Sequence, residues 1–541
     1  MKPSPVLCFV CLLLLTAAAL AIRLPRLAER PMHGDEANQA VKTGILLETG
    51  EYHYDPVEHH GPSLYWLTLP SLWLQGRTQF AQTTEVDYRI VPLVFGVGLV
   101  LLLWLVADGL GRGATVLAGI FTVISPALVF YSRYYIQETL LVFFALAALA
   151  AGWRYTRGRR LGWAVACGAA LGMMHATKET WVLSAAAAGL GGVLLLGWTR
   201  WREGTWLVAR EDWRPRALLG FVAAAALVTV VLYSSFGRHP RGPLDSLLAY
   251  AVYVRRGSEA GIHSHPWFYY LELLLAFRPA KGFFWSEGLI VGLAAIGTLA
   301  SLARGALPAP QRYFCRFLAL YTLALTALYA AVSYKTPWCL LSFFHGMILL
   351  AGVGGWYLLQ RAWAATRGER RRGWMLRLAT GVPVAGLLAA GTLHLGHQCY
   401  WLNFRLAADY RNPHVYAHTS TSIKNLARTI DDLRQVSPRG RHLTIHVVTP
   451  ENYWPLPWYV RQIDPDSVGY WQDAATWTRD VSSLPAPDLL ILTPDVQQQV
   501  DAALPAAYNQ QMMYGLRPDV LLHAYVREEL WEPFVNSRSG G

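Results

Sequence analysis

The sequence predicts a polytopic α-helical membrane protein with a C-terminal extracytoplasmic α/β domain, and three observations predict it. Only 15% of the 541 residues are charged, against roughly 25% in an ordinary soluble protein, while hydrophobic residues reach 54%. Apolar runs recur from the N-terminus to about Leu395, each close to the roughly 20 residues that span hydrocarbon. The charge also divides along the chain. Residues 397–541 carry 12 basic and 15 acidic side chains, so the overall net charge of +12 leaves +15 on residues 1–396. A basic excess confined to the membrane part sets orientation and argues against nucleic acid as a partner. The six cysteines lie mostly within or beside apolar runs, and neither a disulfide framework nor a zinc ribbon is indicated.

Taken in order, about eleven spans follow from length and hydropathy: residues 5–22, 90–107, 114–130, 139–152, 161–175, 181–198, 217–233, 288–303, 317–332, 340–359 and 378–395. The first also fits a cleaved signal peptide, because Ala17-Ala18-Ala19 and Ala21 resemble a small-residue cleavage region. With the N-terminus cytoplasmic, every inner loop is basic, from Arg112 in the first to Arg154, Arg157, Arg159 and Arg160, to Arg210, Arg214 and Arg216, and to Arg370, Arg371 and Arg372. The opposite face then receives two long loops, 23–89 and 234–287, and the junctions 131–138, 176–180 and 333–338. An odd number of spans also puts the acidic tail there. The domain boundary falls at 396/397. Within the first loop, residues 38–48 and 62–74 read as short amphipathic helices at the interface. In the tail, 442–448 and 489–492 read as buried strands and 422–434 as a helix.

Candidate chemistry gathers on the outer face. His33-Gly34-Asp35-Glu36 follows the first span, and its paired carboxylates suit a general base, a metal ligand or both. The plainer alternative makes Asp35 the N-cap of a helix beginning near Ala37. Three charged clusters close otherwise apolar helices on the same face: Arg133 to Glu138, Lys178-Glu179, and Tyr334-Lys335. The chain has only six lysines, and two of them stand at these junctions. Arg133, Lys178 and Lys335 offer donors for phosphate oxygens at headgroup depth. Snorkelling or local ion pairing, Arg133 with Glu138 and Lys178 with Glu179, would explain the same residues without a ligand. Glu58, His59 and His60, with His33, could supply ligands for a divalent metal, whereas adjacent histidines on a loop are more often solvated or hydrogen-bonded. In the tail, Tyr453, Trp454, Trp458 and Tyr459 either pack the domain onto the bundle or stack against sugar rings, and packing is the stronger expectation.

Asp35-Glu36, the Ser132-Arg133 to Glu138 junction, Lys178-Glu179-Thr180 and Lys335-Thr336-Pro337-Trp338 resemble the C-type glycosyltransferases of the dolichyl-phosphate-mannose protein mannosyltransferase and aminoarabinose transferase group. More narrowly, His33 to Ala37, His59-His60-Gly61-Pro62, Asn412 to Thr419 and Asn452 to Tyr459 resemble prokaryotic proteins described as flippase-activity-associated. The resemblance covers nearly the whole chain. It implies a C-type membrane fold and sugar transfer from a polyprenyl-phosphate-linked donor to a protein, lipid or polysaccharide acceptor at the outer face of the cell membrane. It further implies that Asp35 is the catalytic base with Glu36 assisting, and that Arg133, Lys178 and Lys335 bind the donor phosphate. His33, Glu138, Glu179 and Tyr334 would support them. The alternative is a lipid-linked-sugar flippase or its accessory, recognising the glycolipid without cleaving it. An ion-coupled permease would need carboxylates at mid-membrane depth, and the spans are nearly bare of them.

Overall fold

The structure, a computed structural model, describes residues 3–58, 60–205, 207, 214–258, 263–364 and 373–539. His59, Arg210 and the arginines at 370, 371 and 372 lie outside the described residues. Each expected apolar segment is helical. α1 (Pro5–Arg23) leads into the expected first outer loop, which folds as α2 (Gly34–Thr49) and α3 (Ser63–Leu74). The bundle continues as α4 (Glu85–Leu110), α5 (Arg112–Ile124), α6 (Pro126–Tyr131), α7 (Glu138–Gly158), α8 (Leu161–His175), α9 (Trp181–Glu203) and α10 (Pro215–Tyr233). The second outer loop carries α11 (Gly242–Ser258) and α12 (Tyr269–Leu275) before α13 (Gly288–Leu302), α14 (Ala309–Ala331), α15 (Leu341–Ala364) and α16 (Gly373–Tyr400).

Seven helices among the described residues are long and apolar enough to cross a membrane, whereas α5, α8 and α13 are shorter apolar helices. The stretch 337–363, which contains α15, is the centre of the bundle: 89% of its apolar window is buried, against 11% for α10 and 17% for α1. α15 packs on α5, α13 and α14. The expected run 114–130 is interrupted, because Pro126 lacks an N–H and disfavours helical geometry in the residue before it. Ser125 accordingly turns out of the helix at ψ 122° and caps α6 through its own hydroxyl.

α16 runs to Tyr400, slightly past the expected boundary, and the chain then enters the tail. Its five-stranded sheet has the order β2-β1-β3-β5-β4, formed by β1 (Ile445–Val448), β2 (Val468–Trp471), β3 (Leu489–Leu492), β4 (Tyr508–Arg517) and β5 (Val520–Arg527). The first three strands pair in parallel and the last two antiparallel. α17 (Ile423–Val436) is strongly amphipathic, with Ile423, Leu426, Ile430 and Leu433 on its buried face. The tail docks on the first outer loop: Arg461 donates to the Thr83 carbonyl, Met32 N–H donates to the Tyr459 hydroxyl at 2.9 Å, and Lys424 donates to the carbonyls of Ala28 and Glu29.

Candidate active site

The site begins at the first turn of α2. His33, not Asp35, is the N-cap: its Nδ1 accepts from the Asp35 N–H at 3.0 Å, and Glu36 accepts from the His33 N–H at 3.1 Å, completing a capping box. Nε2 of His33 faces the Tyr416 carbonyl at 3.0 Å, so both contacts are met by the neutral ring with its proton on Nε2. The cap thus frees the Asp35 side chain, which is exposed and has no hydrogen-bond or ion-pair partner among the described residues.

Glu36 points the other way, into the interior, and is fully buried. Its oxygens accept from Arg89 at 2.7 and 2.8 Å, from Arg30 at 3.1 Å, and from the N–H groups of His33 and Tyr135. Burial pushes its pKa up, but the charges of Arg30 and Arg89 and these hydrogen bonds outweigh that and bring it down to about 2. Arg89 also donates to the carbonyls of Leu27, Arg30 and Pro31. The pair therefore stitches the loop before α2 to the top of α4, and no lone pair of Glu36 is left over for a metal.

The three expected phosphate ligands have unlike surroundings. Arg133 is buried, donates to the Asn403 carbonyl at 2.9 Å and to the Pro25 carbonyl, and stacks on Phe404. Lys178 forms a buried ion pair with Glu138. Neither local pairing expected from the sequence is formed: Glu138 belongs to Lys178, and Glu179 instead meets His60 Nδ1 at 2.9 Å and the Tyr54 hydroxyl at 3.3 Å. Lys335 donates to the His265 carbonyl at 3.1 Å and to the Val332 carbonyl, with no carboxylate partner among the described residues. An ammonium has three donors, so one remains. Glu58 is exposed and engages Lys42 only through its carbonyl. Among the described residues no three His, Cys, Asp or Glu side chains converge on a metal position.

An aromatic wall joins these parts. The His33 ring lies 5.5 Å from Tyr134 and 5.8 Å from Trp338, and Trp338 lies 5.9 Å from Tyr416. The Tyr416 hydroxyl meets His263 Nδ1 at 2.7 Å, and Tyr334 packs on the same His263 ring at 4.8 Å. Asp35 lies within electrostatic reach of His263 and of Lys42. Burial lowers the Lys42 pKa to about 8, against the opposing pull of Glu58, Asp55 and Asp35. Sequence reasoning missed Lys42, His263 and Arg30. For Lys42 a signal existed: it stands seven residues after Asp35, on the same face of α2.

Beneath the Glu138–Lys178 pair lies a largely apolar cavity of about 1030 Å³ among α7, α8, α9, α14 and α15. Val142, one turn after Glu138, and Met174, whose carbonyl accepts from the Lys178 N–H, line it near the site, and Trp153 and Tyr313 line it toward the opposite face.

Residues 67–233 match the family model of dolichyl-phosphate-mannose-protein mannosyltransferase. No curated protein matches the sequence. Among solved structures, ArnT from Cupriavidus metallidurans bound to undecaprenyl phosphate superposes with a TM-score of 0.61 at 15% identity, over 95% of this chain and 97% of that one. The oligosaccharyltransferase of Archaeoglobus fulgidus, tethered to an acceptor peptide, superposes with a TM-score of 0.52 at 12% identity, over 85% of this chain and 63% of that one. At these identities the likeness is one of fold, and the narrower flippase-associated resemblance rests on sequence motifs alone.

Proposed function

We propose that this chain, which has the fold of the C-type membrane glycosyltransferases, transfers a sugar from a polyprenyl-phosphate donor to an acceptor hydroxyl, with Asp35 as the general base. One observation carries the reading. Asp35 is the uncommitted carboxylate in a setting where Glu36, Glu138 and Glu179 are each held by a basic partner. A base must be free to take a proton, and an exposed carboxylate at the mouth of the aromatic wall meets that need.

Asp35 removes the proton as the acceptor oxygen attacks the anomeric carbon. The bond from that carbon to the phosphate oxygen breaks, and its electron pair stays on the departing polyprenyl phosphate. The ammonium groups of Lys335 and Lys178, the latter through the donors that Glu138 leaves over, stabilise that charge, while Arg133, tied to backbone carbonyls, holds the junction in place. With one base and no second carboxylate placed as a nucleophile, the anomeric configuration inverts. The apolar cavity ending one turn from Lys178 suits the isoprenoid chain, and the similar ArnT binds undecaprenyl phosphate. The site and the tail lie on the extracytoplasmic side of the cell membrane.

The test is Asp35→Asn in proteoliposomes carrying a radiolabelled polyprenyl-phosphate sugar. We expect transfer to fall by at least about a thousandfold, within the range general-base catalysis supplies, while the donor still binds. Unchanged turnover would remove Asp35 from the chemistry.

A further inference from the structure

The aromatic motif at 452–459 divides into two functions. Trp458 is fully buried, its indole N–H reaching Glu85 at 3.3 Å, and Tyr459 receives the Met32 N–H. These two anchor the tail on the first outer loop. Tyr453 and Trp454 make no hydrogen bond to that loop among the described residues and are only half-buried. Their rings stack at 6.1 Å and 30°, and Tyr453 stacks in turn on Tyr470 of β2 at 4.5 Å and 29°.

The position of this stack matters more than its composition. The loop leaves the C-terminal end of β1, the parallel strand between β2 and β3, where chain connections part to opposite sides and α/β sheets characteristically hold ligands. It reaches the catalytic turn: a Cβ placed on Gly34 would lie 3.4 Å from the Cβ of Trp454. Trp454 thus sits over the residue before Asp35. Arg517 fixes the loop by donating to the carbonyls of Asn452 and Trp454, and Glu451 balances its charge at 3.5 Å.

We infer that Trp454 and Tyr453 form the acceptor subsite and that the acceptor is a saccharide, a reading that rests on the transferase function proposed above. Planar rings with a polar rim, here the exposed Asn452 and Glu451, match a pyranose, which offers C–H groups on its face and hydroxyls at its edge. Local charge is balanced, which suits a neutral ligand. A sugar stacked on Trp454 presents an edge hydroxyl toward Asp35.

The test uses the full chain in nanodiscs and saturation-transfer NMR titration with two probes, mannotetraose and a Ser/Thr-rich peptide of similar mass. We expect the wild type to bind the saccharide in preference to the peptide. Trp454→Ala with Tyr453→Ala should weaken saccharide binding at least about tenfold, Trp454→Phe should restore most of it because a flat face is kept, and Trp201→Ala, on the far end of α9, should bind like the wild type. Equal saccharide binding by the wild type and the double variant, no saccharide binding by the wild type up to about 10 mM, or preference for the peptide would each overturn the inference. Binding is read without turnover, so a failed subsite is distinguishable from a failed transferase: the former leaves Asp35-dependent cleavage of the donor intact, and the latter abolishes it whatever binds at Trp454.

Discussion

Asp35 and Glu36 are adjacent in sequence and opposite in setting, because the roughly 100° between successive helical residues sends the first carboxylate outward and the second under the loop that Arg30 and Arg89 close. The buried position makes Glu36 a structural acid with a measurable pH signature. Its folded pKa is lowered to about 2 from the ordinary 4.5, so the unfolded chain binds its proton first as the medium is acidified. The stabilisation is complete above about pH 4.5 and is lost as pH falls toward 2. The shift corresponds to on the order of 3 kcal/mol. Thermal unfolding of the purified protein between pH 7 and 3 should show this loss, and Glu36→Gln should lack that part of the slope. The same variant should be destabilised by about 3–5 kcal/mol at pH 7, since Arg89, fully buried, would keep its charge without a partner. An unaltered unfolding midpoint in Glu36→Gln at neutral pH would refute the structural role.

At the scale of elements, the bundle depends on close approach between α13 and α15. A Cβ at Gly297 would stand 2.1 Å from the Leu350 carbonyl oxygen, and one at Gly354 would stand 2.0 Å from that of Leu293. Neither oxygen can yield without moving a helix, and small residues at such crossings let backbones meet in a membrane. Gly297→Val should cost at least about 2 kcal/mol by overpacking, seen as a lower unfolding midpoint in detergent, while Gly292→Ala, which meets open space, should not. Apolar runs made these helices legible in the sequence, and α8 has the expected bounds of 161–175. What local pattern could not supply was partnership across the fold. Lys178 stands beside Glu179 in sequence yet pairs with Glu138, which approaches from α7, and the helix cap went to His33, a less common cap than the Asp two residues on. The break before α6 was written in Ser125-Pro126 but lay inside a continuous apolar run. Strand β4 carries mixed polar sequence, and β2 is only four residues long with a glycine among them, its pairing settled by β1, distant along the chain.

For the whole molecule, the sparse charge becomes an argument about sidedness. Large apolar side chains stand exposed around the bundle, among them Leu14, Leu219 and Leu393, an arrangement that suits contact with hydrocarbon and would aggregate in water. Arginines collect at one end of the helices, at Arg112, Arg157, Arg159 and Arg304, while Asp35, the Glu138–Lys178 pair, Lys335 and the sheet domain lie at the other. Arginine-rich loops stay cytoplasmic because translocating them is costly, and this is the ground for the extracytoplasmic placement proposed for the site and the tail. Alkaline phosphatase fused after Gly541 should therefore be active, and green fluorescent protein fused there should be dark, since the first folds only outside and the second only within the cytoplasm. The reverse fusions, placed in the 154–160 loop, should give the opposite pair of results. A fluorescent C-terminal fusion would put the tail and Asp35 in the cytoplasm and the arginine-rich loops outside, and would overturn this sidedness.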